Sequence, residues 1–534
     1  MQPVIADPDV VGLVRPARLS DRQVADLEFM RQHVPASALW HEVGVGKTHP
    51  TAARVLEVVR PTVESLVPPP REGGYTIEER AKGLLAISRL TFGDGKTPRA
   101  LVLMRRSILK SWKQKIASLI LGYRDKHPEW ADVTVGVLRG GAKPEQMWGR
   151  GYAGVPDIVL MNYDYVTSLC KLEKGKPVGW LAGLVETLGV LVCDEIQRLK
   201  GFRGFRSNHG VRARVVNALA PQVPIRIGLS GSPILKPESS DLWAIYHLLD
   251  PTIFGPTRWK FVNDFFYDRS KDYRYEQLVL KPGMAGEMSR RMYMIARRVT
   301  KKECPPGEFP EPRRKLYEVE LPSSVRVMYD ELEKTGITAD KNGQITRLML
   351  LDRLMALQQL ASGFVIENGV PRLIDVSHKA EQLDDIIEQI DGKFVVWAHF
   401  RHEIEWLVKH MKEIGVEATH VYGGMRRGES DAAIHDFSIG NKRCLIGQPG
   451  TVGAGNDFQV AQHAIRFSRS YITEDFVQSD GRVNRSHSEF DETIHHEIVC
   501  AETKDEDVYR ALINDVDLAS TITLDHLLPV ERNV

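Results

Sequence analysis

Short, continuous apolar runs recur in two separate blocks of the chain, and they limit its fold more than any other feature. The first block holds Ala36–Trp40, Ala100–Met104, Ile158–Met161, Val190–Cys193 and Ile225–Leu229. The second holds Phe394–Ala398, His420–Tyr422, Cys444–Gly447, Ala464–Phe467 and Ile494–Cys500. Runs of this length without polar alternation read as strands covered on both faces, the situation of a parallel sheet. Between them, Leu383, Ile386, Ile387 and Ile390 fall at i, i+3, i+4 and i+7, as do Ile404, Leu407, Val408 and Met411. That spacing predicts amphipathic helices. Strands alternating with helices in two blocks predict an α/β protein with two parallel-sheet lobes in tandem.

The expected boundaries are 1–250 for the first lobe, 251–320 for a crossover, and 321–534 for a second lobe ending in a helical tail. Asp250-Pro251 closes the first block, and turn-prone Pro305-Pro306-Gly307 with Pro310 and Pro312 sets a hinge at Pro310 to Glu320. Val67 to Gly74, with three consecutive prolines, reads as a surface loop of the first lobe. The 71 Lys and Arg balance 70 Asp and Glu, so a uniformly basic nucleic-acid binder is excluded and any such contact must come from local clusters. Five scattered cysteines with no C-x-x-C pair exclude a disulfide framework and a zinc site, and fit a reducing cytoplasm. No apolar stretch approaches the ~18 residues of a membrane span, and the N-terminus lacks a signal-peptide pattern.

Gly44-Val45-Gly46-Lys47-Thr48 follows one apolar run and precedes a helix-like stretch from Thr51 to Arg60. Strand, glycine loop, helix is the order a phosphate cradle needs, because backbone amides and the helix N-terminus face the anion. Lys47 would reach the outer phosphates and the Thr48 hydroxyl would ligate Mg²⁺. Pro50 is tolerated because the first helical turn needs no amide donor. A second copy, Gly93-Asp94-Gly95-Lys96-Thr97, is followed by Pro98 and a strand, so it reads as a loop. Val190 to Cys193 runs into Asp194-Glu195, two acids at the carboxyl end of a strand, where a ligand crevice lies in such sheets. Asp194 would hold Mg²⁺ and Glu195 would activate water; the alternative is a solvated acidic turn.

These residues resemble the motifs of superfamily-two helicases, and within them the Swi/Snf-type DNA-dependent ATPases. Gly44–Thr48 resembles motif I, Asp194-Glu195-Ile196-Gln197 motif II with Gln197 in place of histidine, and Leu229-Ser230-Gly231-Ser232-Pro233 motif III. Gln478-Ser479-Asp480-Gly481-Arg482-Val483-Asn484-Arg485 matches motif VI. Ser107 to Trp112 resembles motif Ia, Asn162-Tyr163-Asp164 the segment after it, His378-Lys379 the helix before motif IV, and Gly453 to Asp457 motif V. The similarity runs from about residue 15 to 515 with the motifs in family order. His41 stands where the family has an acid, and Tyr471 to Glu474 where it has a Trp-Asn-Pro turn.

The resemblance implies two RecA-like lobes with ATP and Mg²⁺ in a cleft between them. Gln23 would read adenine; Gly44, Gly46, Lys47, Thr48 and Asp194 would bind the nucleotide; Glu195, Gln478, Arg482 and Arg485 would act in hydrolysis. Gln197, Ser230, Ser232, Gly453 and Gly455 would couple hydrolysis to movement. Arg105, Arg106, Lys110 and Lys113 in lobe one, with His399, Arg401, Thr451 and Asn456 in lobe two, would contact double-stranded DNA through phosphates. Each of these basic residues also reads as a solvated surface charge, and Trp112 as a packing residue. Arg297 to Lys302 is a basic patch on the crossover or a solvated helix end. The picture is a compact bacterial or viral motor, monomeric, cytoplasmic in the cell or its host. A strand-separating or branch-migrating helicase, and a nucleotide-gated DNA or protein clamp with little turnover, stand as the other functions.

Overall fold

The computed structural model describes residues 2–7, 10, 14–62, 98–149, 151–174, 176–205, 210–231, 241–268, 278–335, 337–339, 345–347, 350–367, 369–452, 456–486 and 488–523. Ser232, Gly453, Gly455, the second Gly-x-Gly-Lys-Thr copy and the proline loop from Val67 lie outside these. The chain divides into two compact units. One comprises Met1–Glu303 with Leu518–Val534, and the other Cys304–Asp517.

The first unit is built on β1 (Ala36–Leu39), β2 (Arg99–Met104), β3 (Val135–Leu138), β4 (Ile158–Asn162), β5 (Leu188–Asp194), β6 (Ile225–Leu229) and β7 (Ala296–Arg297). The sheet order is β7-β1-β6-β5-β2-β4-β3, and every neighbouring pair is parallel. All five apolar runs of the first block are strands of this sheet. Parallel pairing sends every carboxyl end to one edge, so the loops after β1, β2, β4, β5 and β6 share it. Helices α1 (Asp21–Gln32), α2 (Thr48–Val59) and α3 (Leu109–Gly122) pack together, α2 in the middle. Pro50 through Val59 of α2 are all buried, the situation of a helix covered on every side. Its buried Arg54 and Glu57 pair with one another at 3.0 Å, which removes the cost of an isolated charge.

The expected crossover of 251–320 is divided between the units. Phe254, Phe261, Phe265, Met288 and Met292 belong to the first unit's core, and β7 adds an edge strand beside β1. Of the segment Arg297 to Lys302, three residues are engaged with the first unit while Lys302 is exposed. Arg297 Nε lies 2.9 Å from Asp26 Oδ1, Arg298 donates to the Trp40 carbonyl at 2.6 Å, and the Lys301 amide donates to Glu42 at 2.9 Å.

The second unit's sheet comprises β8 (Glu311–Val319), β9 (Lys393–Trp397), β10 (Ala418–Val421), β11 (Cys444–Gly447), β12 (Ala461–Arg466) and β13 (Glu492–Cys500). The order is β8-β13-β12-β9-β11-β10, again parallel throughout. The helices predicted from apolar spacing are α4 (Ser377–Glu388) and α5 (Arg401–Glu413), followed by α6 (Thr473–Val483) and α7 (Lys504–Thr523). This unit also buries an ionic network. Asp480 on α6 receives Arg466 of β12 at 2.5 Å and Arg314 of β8 at 2.6 Å; Asp505 receives Lys379 at 3.1 Å and Arg469 at 2.8 Å. Glu497 of β13 also receives Arg466, at 3.2 Å, and pairs with Arg314. Burial alone would raise Asp480, but Arg314, His495 and Arg466 around it hold it well below the usual carboxylate range.

The five cysteines are buried and form no disulfide. Among the described residues no helix is long and apolar enough to cross a membrane.

Candidate functional site

The loop between β1 and α2 turns on Gly44 and Gly46, at φ 101° and 99°. Side chains other than glycine's rarely adopt such values. Gln23, expected to read adenine, holds the loop from outside. Its side-chain oxygen accepts from the Ser20 amide at 3.1 Å in a capping box at the start of α1, while its Nε2 donates to the Gly46 carbonyl at 3.3 Å. A Cβ on Gly46 would come within 2.9 Å of that nitrogen. Arg22 donates to the Val45 carbonyl at 3.1 Å. Lys47 reaches the carbonyls of His41 at 2.9 Å and Glu42 at 3.5 Å, which keeps its ammonium at the loop. Thr48 opens α2 directly after it.

His41 is fully buried with Nε2 2.9 Å from Asp26 Oδ2 on α1, and burial lowers its pKa against the opposing pull of Asp26. The carboxylate missing from position 41 is thus supplied to this loop's base by α1, with Arg297 on the same Asp26.

Asp194 ends β5 and is only 7% exposed, which removes the solvated-turn reading. Trp112 of α3 donates its indole N–H to Asp194 Oδ2 at 2.7 Å, and the Tyr163 hydroxyl donates to the Asp194 carbonyl at 2.9 Å. Burial and then the neighbouring Glu195 push the Asp194 carboxyl up to about 6, while Trp112, Lys47 and Lys115 pull it back. Glu195 sits in the left-handed region at φ 54°, an uncommon conformation for a residue with a side chain, and its Oε2 accepts from Gln197 Nε2 at 2.6 Å. Asp194 pairs in register with Leu229, so Ser230 is the next residue along that edge; its amide donates to the Leu39 carbonyl at 3.2 Å and it is fully buried. Lys47, Asp194, Glu195 and Ser230 therefore follow adjacent strands on one edge of one sheet.

The donor set suits a magnesium ion shared with phosphates. Two acids side by side, one of them buried, favour a cation, and Mg²⁺ in such sites takes one or two protein ligands with the rest from phosphate and water. Thr48 and Asp194 are those candidates. Among the described residues no cluster of three or more His, Cys, Asp or Glu is built to hold a metal by itself.

In the second unit, α6 carries Gln478, Asp480 and Arg482. Gln478 Nε2 donates to Glu474 at 3.0 Å. Arg482 and Arg485 both approach Asp457, at 3.9 and 2.9 Å, and Arg482 also reaches the Asn456 carbonyl at 3.5 Å. The two guanidiniums thus share one carboxylate.

The expected nucleic-acid contacts separate into presented and engaged residues. Arg106 and Lys110 are exposed at the start of α3, whereas Lys113 is mostly buried against Asp7. Arg105, between β2 and α3, is partly buried. In the second unit, Arg401 is exposed, bonded to Glu405 at 2.9 Å and stacked over Tyr422. His399 and Thr451 line one cavity of about 160 Å³ with Gln448, Arg466 and Arg469. Gln448 ties its walls together, donating to the His399 carbonyl at 2.7 Å and accepting from the Gly423 amide at 2.9 Å. Asn456 donates to the Val452 carbonyl at 2.9 Å.

Sequence reasoning missed Gln448, the pairing of Asp457 with Arg482 and Arg485, and the hydrogen bond of Trp112. The last had a usable signal, since a buried indole N–H usually finds a partner.

Two family models match the chain. A model described as the SNF2-related domain matches residues 23–362, and one described as the helicase conserved C-terminal domain matches 378–487. The "Uncharacterized ATP-dependent helicase YqhH" of Bacillus subtilis (strain 168) is 23% identical over 233 residues, 39% of this chain and 41% of that protein. The "ATP-dependent RNA helicase fal1" of Schizosaccharomyces pombe is 30% identical over 91 residues, 17% of this chain and 23% of that protein. The chain thus covers less than half the length of these relatives. Among solved structures, the "Sulfolobus solfataricus SWI2/SNF2 ATPase core in complex with dsDNA" aligns over 97% of both chains at 19% identity, with a TM-score of 0.36.

Proposed function

The chain belongs to the SNF2-related domain family, and from that premise we propose that it is an ATP-dependent motor on double-stranded DNA. The observation that carries this reading is the placement of Lys47, in the loop after β1, and of Asp194 and Glu195, at the end of β5, on the same carboxyl edge of one parallel sheet, with only β6 between the two strands. Lys47 and the amides of the glycine loop bind the outer phosphates. Thr48 and Asp194 hold Mg²⁺, which supplies positive charge against the phosphate oxygens. Glu195, aimed by Gln197, takes the proton of the attacking water. Arg482 and Arg485 neutralise charge growing on the transferred phosphoryl group, a role worth about 10³–10⁵ in rate in related NTPases. Gln478, in the same motif, assists them. Gln23 sets the loop through Gly46 and reads the base.

Ser230 and Gln197, each next to a nucleotide residue, relay hydrolysis to the DNA-facing segments, together with Ser232, Gly453 and Gly455. Arg105, Arg106, Lys110, His399, Arg401, Thr451 and Asn456 contact the sugar-phosphate backbone without reading bases. The chain acts as a monomer.

The test is ATP hydrolysis by the full chain with duplex DNA, single-stranded DNA or RNA. Duplex should stimulate most, and the stimulation should fall steeply with salt as phosphate contacts release counterions. Stimulation by RNA alone would make it an RNA-directed enzyme. Equal hydrolysis with and without nucleic acid would contradict the motor, and negligible hydrolysis in every condition would leave a nucleotide-gated clamp.

A further inference from the structure

The start of α3 carries two faces with different tasks. Lys110 is exposed, whereas Trp112 is 1% exposed and hydrogen-bonded to Asp194. At about 100° per residue, positions two apart point to nearly opposite sides of a helix. One helical turn thus joins a solvent-facing cation to the strand-end carboxylate.

The indole is suited to that junction. It is a donor only, so it cannot compete with the carboxylate for a cation. It takes Oδ2 and not Oδ1. The Asp194 backbone is fixed separately, by Tyr163 on its carbonyl and by pairing with Leu229. The carboxylate rotamer is therefore what Trp112 controls, and its buried indole is carried on α3.

We infer that Trp112 is a positioning residue that orients Asp194 for Mg²⁺ and links that orientation to the exposed face of α3. The inference rests on the proposed role of Asp194, and it adds a route by which a polyanion on Lys110 and Arg106 changes the metal site. Small outer partners of this kind change metal affinity by about 10–100-fold when lost.

The test is calorimetric titration of ADP into the full chain across Mg²⁺ concentrations, with and without duplex DNA. Trp112→Phe removes the N–H, and Trp112→3-benzothienylalanine removes it while keeping the shape, so the second decides if the first fails to fold. Both should leave Mg²⁺-free ADP affinity unchanged and raise the Mg²⁺ concentration for half-saturation by about tenfold. In the wild type, duplex should shift that half-saturation; in the variants it should not. An unchanged Mg²⁺ dependence in the benzothienyl variant overturns the inference. Asp194→Ala separates the two levels: if it retains normal Mg²⁺ dependence, the metal role of Asp194 fails first. If it loses that dependence while the Trp112 variants keep theirs, only the present inference falls.

Discussion

Arg485 rests on Asp457, with Nε 2.9 Å from Oδ1, and Arg482 approaches the same oxygen at 3.9 Å. Asp457 is half exposed while both guanidiniums are largely buried. A guanidinium that serves a phosphoryl oxygen has to exchange this partner, so Asp457 competes with the nucleotide. Partly exposed pairs are worth about 0.2–1 kcal/mol, so Asp457→Asn should raise DNA-independent ATP hydrolysis by roughly 1.5- to 5-fold. A steady-state assay without nucleic acid checks this. A lower rate would mean that Asp457 orients the arginines instead.

Asp480 anchors α6 to the second unit's sheet through Arg466 and Arg314. Removing one member of a buried ion network leaves the others uncompensated, so Asp480→Asn should cost about 3–5 kcal/mol in urea unfolding at neutral pH. Its folded pKa lies below the ordinary value of 3.8, so its stabilisation is complete above that value. It is lost as pH falls further, through the folded pKa. Wild-type stability should therefore drop more steeply below about pH 4 than that of Asp480→Asn.

Most of the fold was legible because buried parallel strands are apolar without interruption. All ten apolar runs are strands, and the buried residues of α4 and α5 include Leu383, Ile386, Ile404 and Leu407. Within the two parallel sheets, the strands that escaped are β3, β7 and β8, which are all edge strands. β8 reads Glu-Pro-Arg-Arg-Lys-Leu-Tyr-Glu-Val and is mostly exposed, the charged character edges adopt against aggregation. Its start at Pro310 and Pro312 reads as a hinge, and β7 is only two residues long. The glycine loop and the paired acids announced themselves by motif. Gln448 did not, and although Trp112 and Asp457 fall inside motif matches, their contacts were not legible, because the partners lie far off in sequence or in loops where spacing says nothing about contact.

Asp194 shows the opposite linkage to Asp480. Its folded pKa of about 6 lies above the ordinary value, so burial penalises its charged form progressively between about pH 4 and 6 and fully above that. Asp194→Asn should stabilise the nucleotide-free protein at pH 7.5 by about 1–3 kcal/mol, seen as a higher Tm. The same variant should lose Mg²⁺-dependent hydrolysis. A lower Tm would mean that the charge is already compensated.

The nucleic-acid candidates are ranked by what holds them. Arg106, in the turn before α3, and Lys110, on its first turn, are exposed, and each substitution to alanine should reduce the slope of log affinity against log salt for duplex DNA by about 1. Lys113 is paired with Asp7. Lys113→Ala should leave that slope unchanged, as measured by fluorescence anisotropy across a salt series.

The proposal that Arg485 acts on the transferred phosphoryl group is tested most directly by single-turnover ATP hydrolysis, measured beside ATP affinity, for Arg485→Ala at saturating duplex DNA. A transition-state role predicts affinity within about threefold of wild type and hydrolysis slower by about 10³–10⁵-fold. Hydrolysis within about tenfold of wild type would contradict it.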